Sequence, residues 1–418
     1  MKEVFLGDIC KITSSKRIFE SEYVRNGVAF IRGQEISDKT IGREGVDYEC
    51  YISKKRYEEL KKSNGVPKIG DILITAVGTI GNLCYVDFDM PFYFKDGNVI
   101  WFTDFSDAVD SHYLYYFMQS PYFKKQLENA LIGAVQKALT MVMLKDIHFK
   151  LPPMDVQKAI VKIMSNIDDK INLNDSICSD LESMAKLLYD YWFVQFDFPD
   201  ENGRPYKSSG GKMVWNDELK REIPEGWLDG KLSDILRKDI RGIRPDEIGN
   251  LPYTPMDILP CNQMSFGNTG DKADANSSLI KYDKYSILFG AMRPYFHRVC
   301  IAPFDGVTRT TVFTLYSNYD DELGYSYETL NQDYCVNYAN LHHVGTQQPY
   351  AEWDKNLEDC KIALPPKKLK KDYSDKTQSL IDSVIELQLE NKELASLRDF
   401  LLPMLMNGQI KIEDVKAS

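Results

Sequence analysis

Residues 377–401, TQSLIDSVIELQLENKELASLRDFL, decide the fold of this chain. Leu380, Leu387, Leu394 and Leu401 stand seven residues apart, and the alternate positions of the repeat hold Thr377, Val384, Asn391 and Arg398. A seven-residue apolar repeat is typical of a helix that pairs with another helix along its length. A helix of about 37 residues would span ~55 Å, so it needs a partner of similar length.

The partner is predicted in residues 151–198, where apolar side chains follow at three- and four-residue steps and neither Pro nor Gly interrupts 154–198. We expect the two helices to form an antiparallel coiled coil. Asn174 and Asn391 fall on or beside its seam, where each is either buried and fixes the register or is solvated at the edge. The residues predicted to form the seam are Ile160, Ile163, Ile167, Ile177, Leu181, Leu188, Leu380, Val384, Leu387, Leu394 and Leu401.

The chain also repeats itself. Leu6-Gly7-Asp8-Ile9 returns as Leu232-Ser233-Asp234-Ile235, Asp71-Ile72-Leu73 as Ser286-Ile287-Leu288, and Leu151-Pro152-Pro153 as Leu364-Pro365-Pro366. Matches in one order at shrinking offsets indicate a duplication in which the first copy has the longer loops. Short apolar runs such as 72–74, 98–102 and 312–315 predict strands of a mixed sheet in the front part of each copy, and a helix is predicted near 111–131.

The predicted fold class is therefore mixed α/β, with a pseudo-twofold internal repeat of two similar globular domains separated by the antiparallel coiled coil. Such a rod exceeds one turn of B-DNA, ~34 Å, so it could act as a ruler between two DNA-reading domains, or merely space domains unconnected with DNA. The predicted boundaries are 1–150 for the first domain, 151–198 for the central helix, 199–228 for a linker, 229–363 for the second domain, 364–406 for the distal helix and 407–418 for a tail.

Composition is that of an ordinary globular protein, with 43% hydrophobic and 27% charged residues in 418. The net charge of −11 argues against a nucleic-acid partner at first, but the acidic excess is concentrated in 151–200 and 301–363, which leaves room for basic surfaces elsewhere. The absence of a long apolar stretch and of a signal sequence predicts a cytoplasmic protein. The eight cysteines are scattered singly and are expected to be reduced.

Three segments of the chain are distinctive in sequence. They are Leu151-Pro152-Pro153-Met154-Asp155-Val156-Gln157-Lys158-Ala159-Ile160 running into Ile167-Asp168-Asp169-Lys170-Ile171, then Ile223-Pro224-Glu225-Gly226-Trp227, and the closing Leu401-Leu402-Pro403 through Asn407-Gly408-Gln409-Ile410. Together they resemble the specificity subunit of type I restriction-modification systems. The resemblance covers essentially the whole chain in the order variable domain, helix, variable domain, helix. Only the segment Lys367-Lys368-Leu369-Lys370-Lys371 departs from the acidic-Gln segment of the first copy.

This resemblance implies a non-catalytic reader of double-stranded DNA whose two target recognition domains each read one half of a bipartite, asymmetric site. The helices would set the spacer and dock the modification (methyltransferase) subunits, and restriction (endonuclease and translocase) subunits would join through the complex. The resemblance implies no catalytic residue, no metal and no cofactor in this chain, with methyl donor, ATP and Mg on the partner subunits.

The residues agree with that expectation, because no Gly-x-x-x-x-Gly-Lys-Ser/Thr loop occurs and the five histidines lack metal-ligand spacing. Gly78-Thr79-Ile80-Gly81-Asn82 is interpreted as a turn between strands. Two further classes stay open: a coiled-coil scaffold whose domains bind protein or glycan, and, with less support, a self-sufficient nuclease or methyltransferase.

DNA contacts are expected from loop residues with long polar or cationic side chains, among which Arg suits guanine and Gln suits adenine in the major groove. Each of them is alternatively a solvated surface residue. The candidates in the first domain are Lys16, Arg17, Arg32, Gln34, Lys54, Lys55, Arg56, Thr79 and Asn82. The candidates in the second domain are Arg241, Arg244, Arg293, Tyr295, His297, Arg298, Arg309 and Thr310.

The segment Arg293 to Arg298 is the favoured candidate, because the offset of 215 places Arg293 opposite Gly78 and His297 opposite Asn82. One scaffold would then carry different loop residues in its two copies and read two different half-sites. The alternative is that Tyr295 and Phe296 belong to a hydrophobic core.

Overall fold

A computed structural model describes residues 2–40, 48–131, 138–345 and 348–409. The chain divides into two compact units: unit 1 comprises Met1–Asp168 with Ser396–Ser418, and unit 2 comprises Asp169–Ala395. From residue 410 onward, the predicted tail at 407–418 lies outside the described residues.

The sheets and short helices of unit 1 precede the first long helix. Its strands are β1 (Lys2–Phe5), β2 (Lys11–Thr13), β3 (Tyr23–Val24), β4 (Val28–Ile31), β5 (Tyr51–Ile52), β6 (Ile72–Thr75), β7 (Leu83–Tyr85), β8 (Phe92–Phe94), β9 (Val99–Thr103) and β10 (His148–Leu151). Its short helices are α1 (Leu6–Ile9), α2 (Gly33–Thr40), α3 (Lys54–Ser63), α4 (Ser111–Gln119), α5 (Pro121–Leu131) and α6 (Met141–Lys145). The long helix α7 (Met154–Tyr189) follows.

Unit 2 contains the first long helix from Asp169, the remaining strands, and the second long helix as far as Ala395. Its strands are β11 (Met213–Asn216), β12 (Arg221–Pro224), β13 (Leu228–Lys231), β14 (Leu236–Lys238), β15 (Gly242–Ile243), β16 (Leu279–Tyr282), β17 (Ile287–Gly290), β18 (Val299–Ile301), β19 (Gly306–Arg309), β20 (Val312–Ser317) and β21 (Lys361–Leu364). Its short helices are α8 (Leu323–Leu330) and α9 (Asp333–Leu341), and the second long helix is α10 (Lys367–Met406).

The predicted internal repeat is confirmed by the strand order and register of the two units. Unit 1 has a four-stranded sheet in the order β2-β9-β6-β7, and unit 2 has the matching order β14-β20-β17-β18. Ile72 pairs with Phe102 in the first sheet, and Ile287 pairs with Leu315 in the second. Each copy also joins its first strand to its last, because β1 pairs with β10 and β13 with β21.

The helix predicted near 111–131 is two helices. Asp110 caps α4 by accepting the backbone N–H groups of His112 and Tyr113, which satisfies donors left free at a helix start. The helix ends at Ser120, directly before Pro121, since the residue before a proline is disfavoured in helical conformation. Pro121 then begins α5, where its missing N–H costs nothing.

The segment 199–228, predicted as a linker, is folded rather than extended. It contains the β11–β12 hairpin, and its Ile223 and Trp227 are buried in the core of unit 2. The ring of Trp227 packs edge-on to Phe196 at 5.3 Å and stacks on Phe198 at 5.4 Å. Gly and Ser in this segment therefore form turns of a packed hairpin and do not mark a free tether.

Within unit 2, α7 and α10 pack antiparallel, as predicted. The hydroxyl of Tyr373 donates to the carbonyl of Ala185 at 2.8 Å. Further along, the thiol of Cys178 lies 3.9 Å from the carbonyl of Val384. As residue numbers on α7 fall, those of their partners on α10 rise, which defines the antiparallel direction.

The predicted seam is correct only in part: Ile160, Ile167 and Val384 are buried as predicted. The members of the buried seam in unit 2 include Asn174, Cys178 and Ala185 on α7 and Thr377, Ile381, Val384 and Asn391 on α10. Of the predicted seam residues, Ile177 is 36% exposed and lies outside the seam. Ile163, Leu181, Leu188, Leu380, Leu387, Leu394 and Leu401 are half-buried beside it. The alternate heptad positions are the buried ones because the small and polar side chains there allow close helix approach, while the leucines cover the flanks.

Asn174 and Asn391 adopt the buried alternative: they are 0% and 8% exposed. The Asn174 amide donates to Oδ1 of Asn391 at 2.8 Å and to Glu390 at 2.7 Å, while Asn391 donates to Asp175 at 2.8 Å. Lys170 closes the network by donating to Oδ1 of Asn174 at 3.0 Å. A buried amide stabilises only the pairing that satisfies it, so this network favours one register of the helices.

The helix predicted to run uninterrupted through 154–198 is shorter. Its α-helical part ends at Tyr189 and passes into a π-helical turn over Asp190–Val194. Phe196 then adopts a left-handed backbone with φ 67°. Trp192 and Phe193 in the wide turn are buried, so the chain leaves the helix where its aromatic side chains enter the core of unit 2.

The two long helices begin differently at equivalent positions, since the offset of 213 places Lys370 opposite Gln157. Both residues are buried. Gln157 donates to the carbonyls of Ala108 and Pro152 at 2.9 and 2.8 Å, whereas Lys370 pairs with the buried Glu322 at 2.7 Å. The lysine-rich departure at 367–371 thus places one of its lysines in the protein interior.

The core of unit 2 contains a second buried acid, Glu328 on α8. Its side chain faces Glu182 and Lys186 of α7, Asp190 of the π-helical turn, and Asn331, and one carboxylate oxygen has no hydrogen-bond partner among the described residues. Burial raises the pKa of Glu328 from 4.5 to about 8, and burial likewise raises the pKa of Glu182 to about 7. Near neutral pH the carboxyl group of Glu328 is therefore mostly protonated, and that of Glu182 is about half protonated.

Glu328→Gln is expected to remove part of the pH dependence of stability. An unfolded glutamate releases its proton near 4.5, whereas the folded Glu328 holds it to about pH 8. The stabilisation is complete below pH 4.5 and is lost as pH rises through 8. Between pH 6 and 9 the wild type should lose on the order of 2 kcal/mol more unfolding free energy than the variant.

Urea unfolding at the two pH values measures this difference, and Glu201→Gln, at an exposed turn, serves as the control. An equal pH dependence in Glu328→Gln and wild type would contradict the assignment.

Candidate nucleic-acid interface

Four candidates of unit 2, Arg293, Tyr295, His297 and Arg298, lie in one hairpin loop. The loop joins β17 to β18 and spans 291–298, and its counterpart in unit 1 joins β6 to β7 and spans 76–82. Both hairpins are antiparallel, with Ile287 opposite Ile301 and Ile72 opposite Tyr85. The same place in the repeated fold therefore carries Arg293-Pro294-Tyr295-Phe296 in one copy and Gly78-Thr79-Ile80-Gly81 in the other.

The backbone of loop 291–298 is strained at two non-glycine residues. Arg293 and His297 both have φ 52°, in the left-handed region, and Pro294–Phe296 between them form a 3-10 turn. The N–H of Arg293 donates to the carbonyl of Pro349 at 2.7 Å, and Asn262 donates to the carbonyl of His297 at 3.0 Å. Strain of this kind persists only where surrounding contacts fix the chain, and it concentrates at functional sites.

Two predicted contact residues, His297 and Arg298, anchor this loop instead of extending from it. Nε2 of His297 lies 3.0 Å and 2.9 Å from two acceptors of Asn331, its carbonyl oxygen and Oδ1, so this nitrogen carries the proton. Arg298 donates to the carbonyls of Met256, Asp257 and Leu259. Because these groups are already bonded inside the fold, neither side chain is available to read a base.

Arg293, Tyr295 and Phe296 form the outward part of the loop, which we call the aromatic tip. Tyr295 is 53% and Phe296 is 41% exposed, and their ring centroids lie 4.8 Å apart. Arg293 is exposed, and within the described part of the chain its guanidinium has no hydrogen bond or ion pair. The alternative in which these aromatics belong to the core is therefore wrong.

Most other candidates of unit 2 are also engaged. Arg241 binds Asp239 and Asp283 and lies over the ring of Tyr316. Arg309 donates to the carbonyl of Asp274 at 2.7 Å and to Asn276. Arg244 is 71% exposed by its side chain and pairs with Asp246 and Glu247 at the surface. Thr310 is exposed beside the aromatic tip's hairpin, and its carbonyl accepts from Tyr350.

In unit 1, the guanidinium of Arg32 is not free to contact a guanine base, contrary to the expectation from sequence. Its guanidinium binds Glu35, which is only 3% exposed, at 2.9 Å and Glu49 at 2.8 Å. Arg56 is held by Glu22 at 2.8 Å and by Glu59 at 3.3 Å. Asn82 donates to the hydroxyl of Ser37 at 2.8 Å. These residues would have to exchange partners before they contacted DNA.

The remaining candidates of unit 1 lie at the surface. Lys54 and Lys55 open α3, where Ser53 caps the helix, and such exposed cations suit phosphate rather than base contacts. Arg17 lies over the ring of Phe19 at 5.5 Å. Lys16, Gln34 and Thr79 are exposed as well.

Sequence reasoning missed the residues that hold these groups, namely Glu35, Asn331 and the carbonyls of 256–259. Glu35 gave a local signal, because an acid three residues after Arg32 can reach it within one helical turn. Asn331 and the 256–259 turn gave none, because each lies more than thirty residues from its partner in the chain.

A second exposed feature lies on α7. Leu173, Ile177, Met184 and Leu187 are 56%, 36%, 56% and 67% exposed and recur at helical spacing; we call them the α7 stripe. Next to it, a groove of about 550 Å³ is lined by Ile177, Leu181, Ser383, Glu386, Leu387 and Glu390. An apolar surface of this kind, with acidic residues at its rim, is typical of a protein-docking site.

Groups of His, Cys, Asp or Glu able to hold a metal ion were not found among the described residues. In the same part of the chain, every helix is too short or too polar to span a bilayer.

Comparisons with known proteins agree with this architecture. Residues 1–183 match the family described as type I restriction modification DNA specificity domain. The type I restriction enzyme MjaIX specificity subunit of Methanocaldococcus jannaschii is 27% identical over 325 residues, which cover 74% of this chain and 71% of the relative. The type I restriction enzyme HindI specificity subunit of Haemophilus influenzae is 23% identical over 468 aligned positions, covering 98% of this chain and 99% of the relative.

A solved structure shares the fold. The crystal structure of the S subunit of a type I restriction-modification system from M. genitalium superposes with a TM-score of 0.55 at 15% identity, covering 97% of this chain and 95% of that one.

Proposed function

We propose that this chain is a specificity subunit of a type I restriction-modification system, since it is similar to such subunits along its length. Its two repeated domains, 1–150 and 229–363, would each read one half of a bipartite DNA site for methyltransferase and restriction partners. The chain performs no chemistry itself and acts in the cytoplasm, where it directs methylation or cleavage by its partners. Phosphate contacts position each domain, and base-edge contacts discriminate between sequences.

The observation that carries the proposal is the pair of equivalent hairpin loops with different side chains. Loop 76–82 presents Val77 and Thr79, whereas loop 291–298 presents Arg293 and the aromatic tip. Equal scaffolds with unequal loops recognise unequal half-sites, which is what an asymmetric target requires. In unit 2, Arg293 has the free guanidinium that bidentate contact with guanine needs.

Arg293→Ala is expected to weaken binding to the cognate duplex by about 1–3 kcal/mol, since it removes one bidentate base contact. Binding to random DNA should change little. The measurement is duplex binding by the complex with the modification subunit, at fixed salt because phosphate contacts depend on it.

Arg298→Ala is the matched control. It should lower the stability of the fold, because Arg298 holds the carbonyls of 256–259, whereas Arg293→Ala should leave stability unchanged. An equal loss on cognate and random DNA would reduce Arg293 to a phosphate contact.

The helix pair supports the spacing of the two half-sites. α7 and α10 are paired through a buried seam, and Asn174 with Asn391 favours one register. A one-heptad change moves a point on a helix by ~10 Å, about three base pairs of B-DNA.

Removing seven residues from each long helix, 168–174 and 391–397, is expected to change the tolerated spacer while both half-site sequences stay the same. Mapping the methylated sites of the variant complex measures this. Seven-residue deletions preserve the heptad phase, and deletion of 391–397 alone, which mismatches the helices, is the control. An unchanged spacer in the double deletion would rule out the ruler.

The α7 stripe is the proposed docking surface for a modification subunit. Its apolar residues lie on one helix and border the groove whose rim carries Glu386 and Glu390. A partner helix with an apolar face and basic flanks would bury the stripe and pair with those carboxylates. Exposed leucine and methionine on a helix that already has a partner would otherwise remain in water.

The double variant Met184→Glu and Leu187→Glu is expected to lose co-purification with the modification subunit, because charges would enter the apolar interface. Both side chains are exposed, so the free energy of unfolding should stay within ~0.5 kcal/mol of wild type. Ile240→Glu, at an apolar residue 80% exposed elsewhere in unit 2, is the matched control. Retained co-purification would place the partner on another surface.

A further inference from the structure

The aromatic tip has a property that base reading does not require. A guanine reader needs only Arg293, yet the same loop also holds two adjacent aromatic rings in water, 53% and 41% exposed. Large apolar side chains fixed together at a surface mark an interaction site.

The rings are held in place by their surroundings. Arg293 and His297 at the two ends of the turn have φ 52°, a conformation that is unfavourable for non-glycine residues and persists only where surrounding contacts hold it. His297 fixes the C-terminal end to Asn331, and the guanidinium of Arg298 lies 5.8 Å from the centroid of the Phe296 ring while bonded to three carbonyls. A tip ordered in this way loses little conformational freedom when it inserts into a ligand.

The chemistry of the tip suits the interior of a base stack. Aromatic faces stack on any base, and apolar wedges enter between base pairs and unstack them. Arg293 beside the rings can bind the edge of an adjacent guanine. A protein surface would also accept such rings, but the free cation at their side favours nucleic acid.

A complex that methylates a base has a reason to unstack the duplex. The target atom is inaccessible within the stack, so the base must swing out of the duplex, which costs free energy. The equivalent loop of unit 1 carries Val77, Gly78 and Thr79 at its tip and no aromatic ring. Opening by such a wedge would therefore occur at one half-site only.

We propose that Tyr295 and Phe296 insert as a wedge into the base stack of the half-site read by unit 2 and open the duplex there. This inference rests on the proposed function, because it assumes that unit 2 binds DNA. The inference assigns two roles to one loop: Arg293 discriminates the base sequence, and the two aromatic rings open the duplex.

The test compares intact and pre-opened duplexes. The complex with the modification subunit is bound to the cognate duplex and to a series in which a single mismatched pair is placed at each half-site position in turn. The double variant Tyr295→Ala and Phe296→Ala should bind the matched duplex about tenfold more weakly than wild type. A mismatch at one position should restore the binding of the double variant to near the wild-type value, because the base pair there is already disrupted and does not have to be opened.

Tyr295→Phe should behave as wild type, since it keeps the ring, and Trp215→Ala, at another exposed aromatic residue of unit 2, is the matched control. A 2-aminopurine base at the rescued position should brighten on binding wild type and stay quenched with the double variant.

An equal loss on every duplex would overturn the wedge and leave a groove contact, and no loss on any duplex would remove the tip from the interface. Failure of the proposed function has a different signature: the wild-type complex itself would not distinguish cognate from random DNA.

Discussion

The antiparallel pairing of α7 with α10 is the constraint on which the structure depends. Each long helix carries an apolar face along its length, and the short strands of its own domain cannot cover that whole face. The seam resolves this by burying small and polar groups, Cys178, Ala185 and Thr377, so that the backbones approach closely. Asn174 and Asn391 then satisfy each other across the seam, and this amide pair is lost in any other register. Stability comes from the apolar seam, while the choice among possible alignments comes from its polar members.

The repeat shows which parts of a domain are fixed and which are free to differ. Strand order and register are the same in both copies, yet the buried residue that starts each long helix is Gln157 in one and Lys370 in the other. Gln157 meets backbone groups at 108 and 152, whereas Lys370 requires Glu322 as a counter-ion. A buried polar position therefore tolerates a change of chemistry only when its partner changes with it. The hairpin tips have no such requirement, and they carry different exposed side chains in the two copies.

Much of the fold could be predicted from the sequence, because the repeat and the helical period are local patterns that survive in any tertiary context. The finer assignments depended on contacts that local patterns do not contain. Leu380 to Leu401 mark a heptad correctly, but the buried positions are the alternate ones at Thr377, Val384 and Asn391. The partner helix determines which of two neighbouring faces is buried, and a local pattern does not contain that information. The hairpin at 213–224 has the Gly and Ser content of a linker, and only the packing of Trp227 on Phe196 and Phe198 shows that it is part of a core.

The loop from Arg293 to Arg298 shows why candidate sites are harder to predict than folds. Its cationic and aromatic residues are similar in composition, and a local rule would give them one role. Two strained residues, each with φ 52°, divide them into groups: His297 and Arg298 turn inward to acceptors more than thirty residues away, and Tyr295 with Phe296 turns outward. The hydrogen bonds of the inward side chains hold the backbone in its strained conformation. The outward side chains are thereby fixed in position, so they lose little conformational freedom when they contact a ligand. Specificity in such a domain therefore depends as much on the buried anchors as on the residues that reach the DNA.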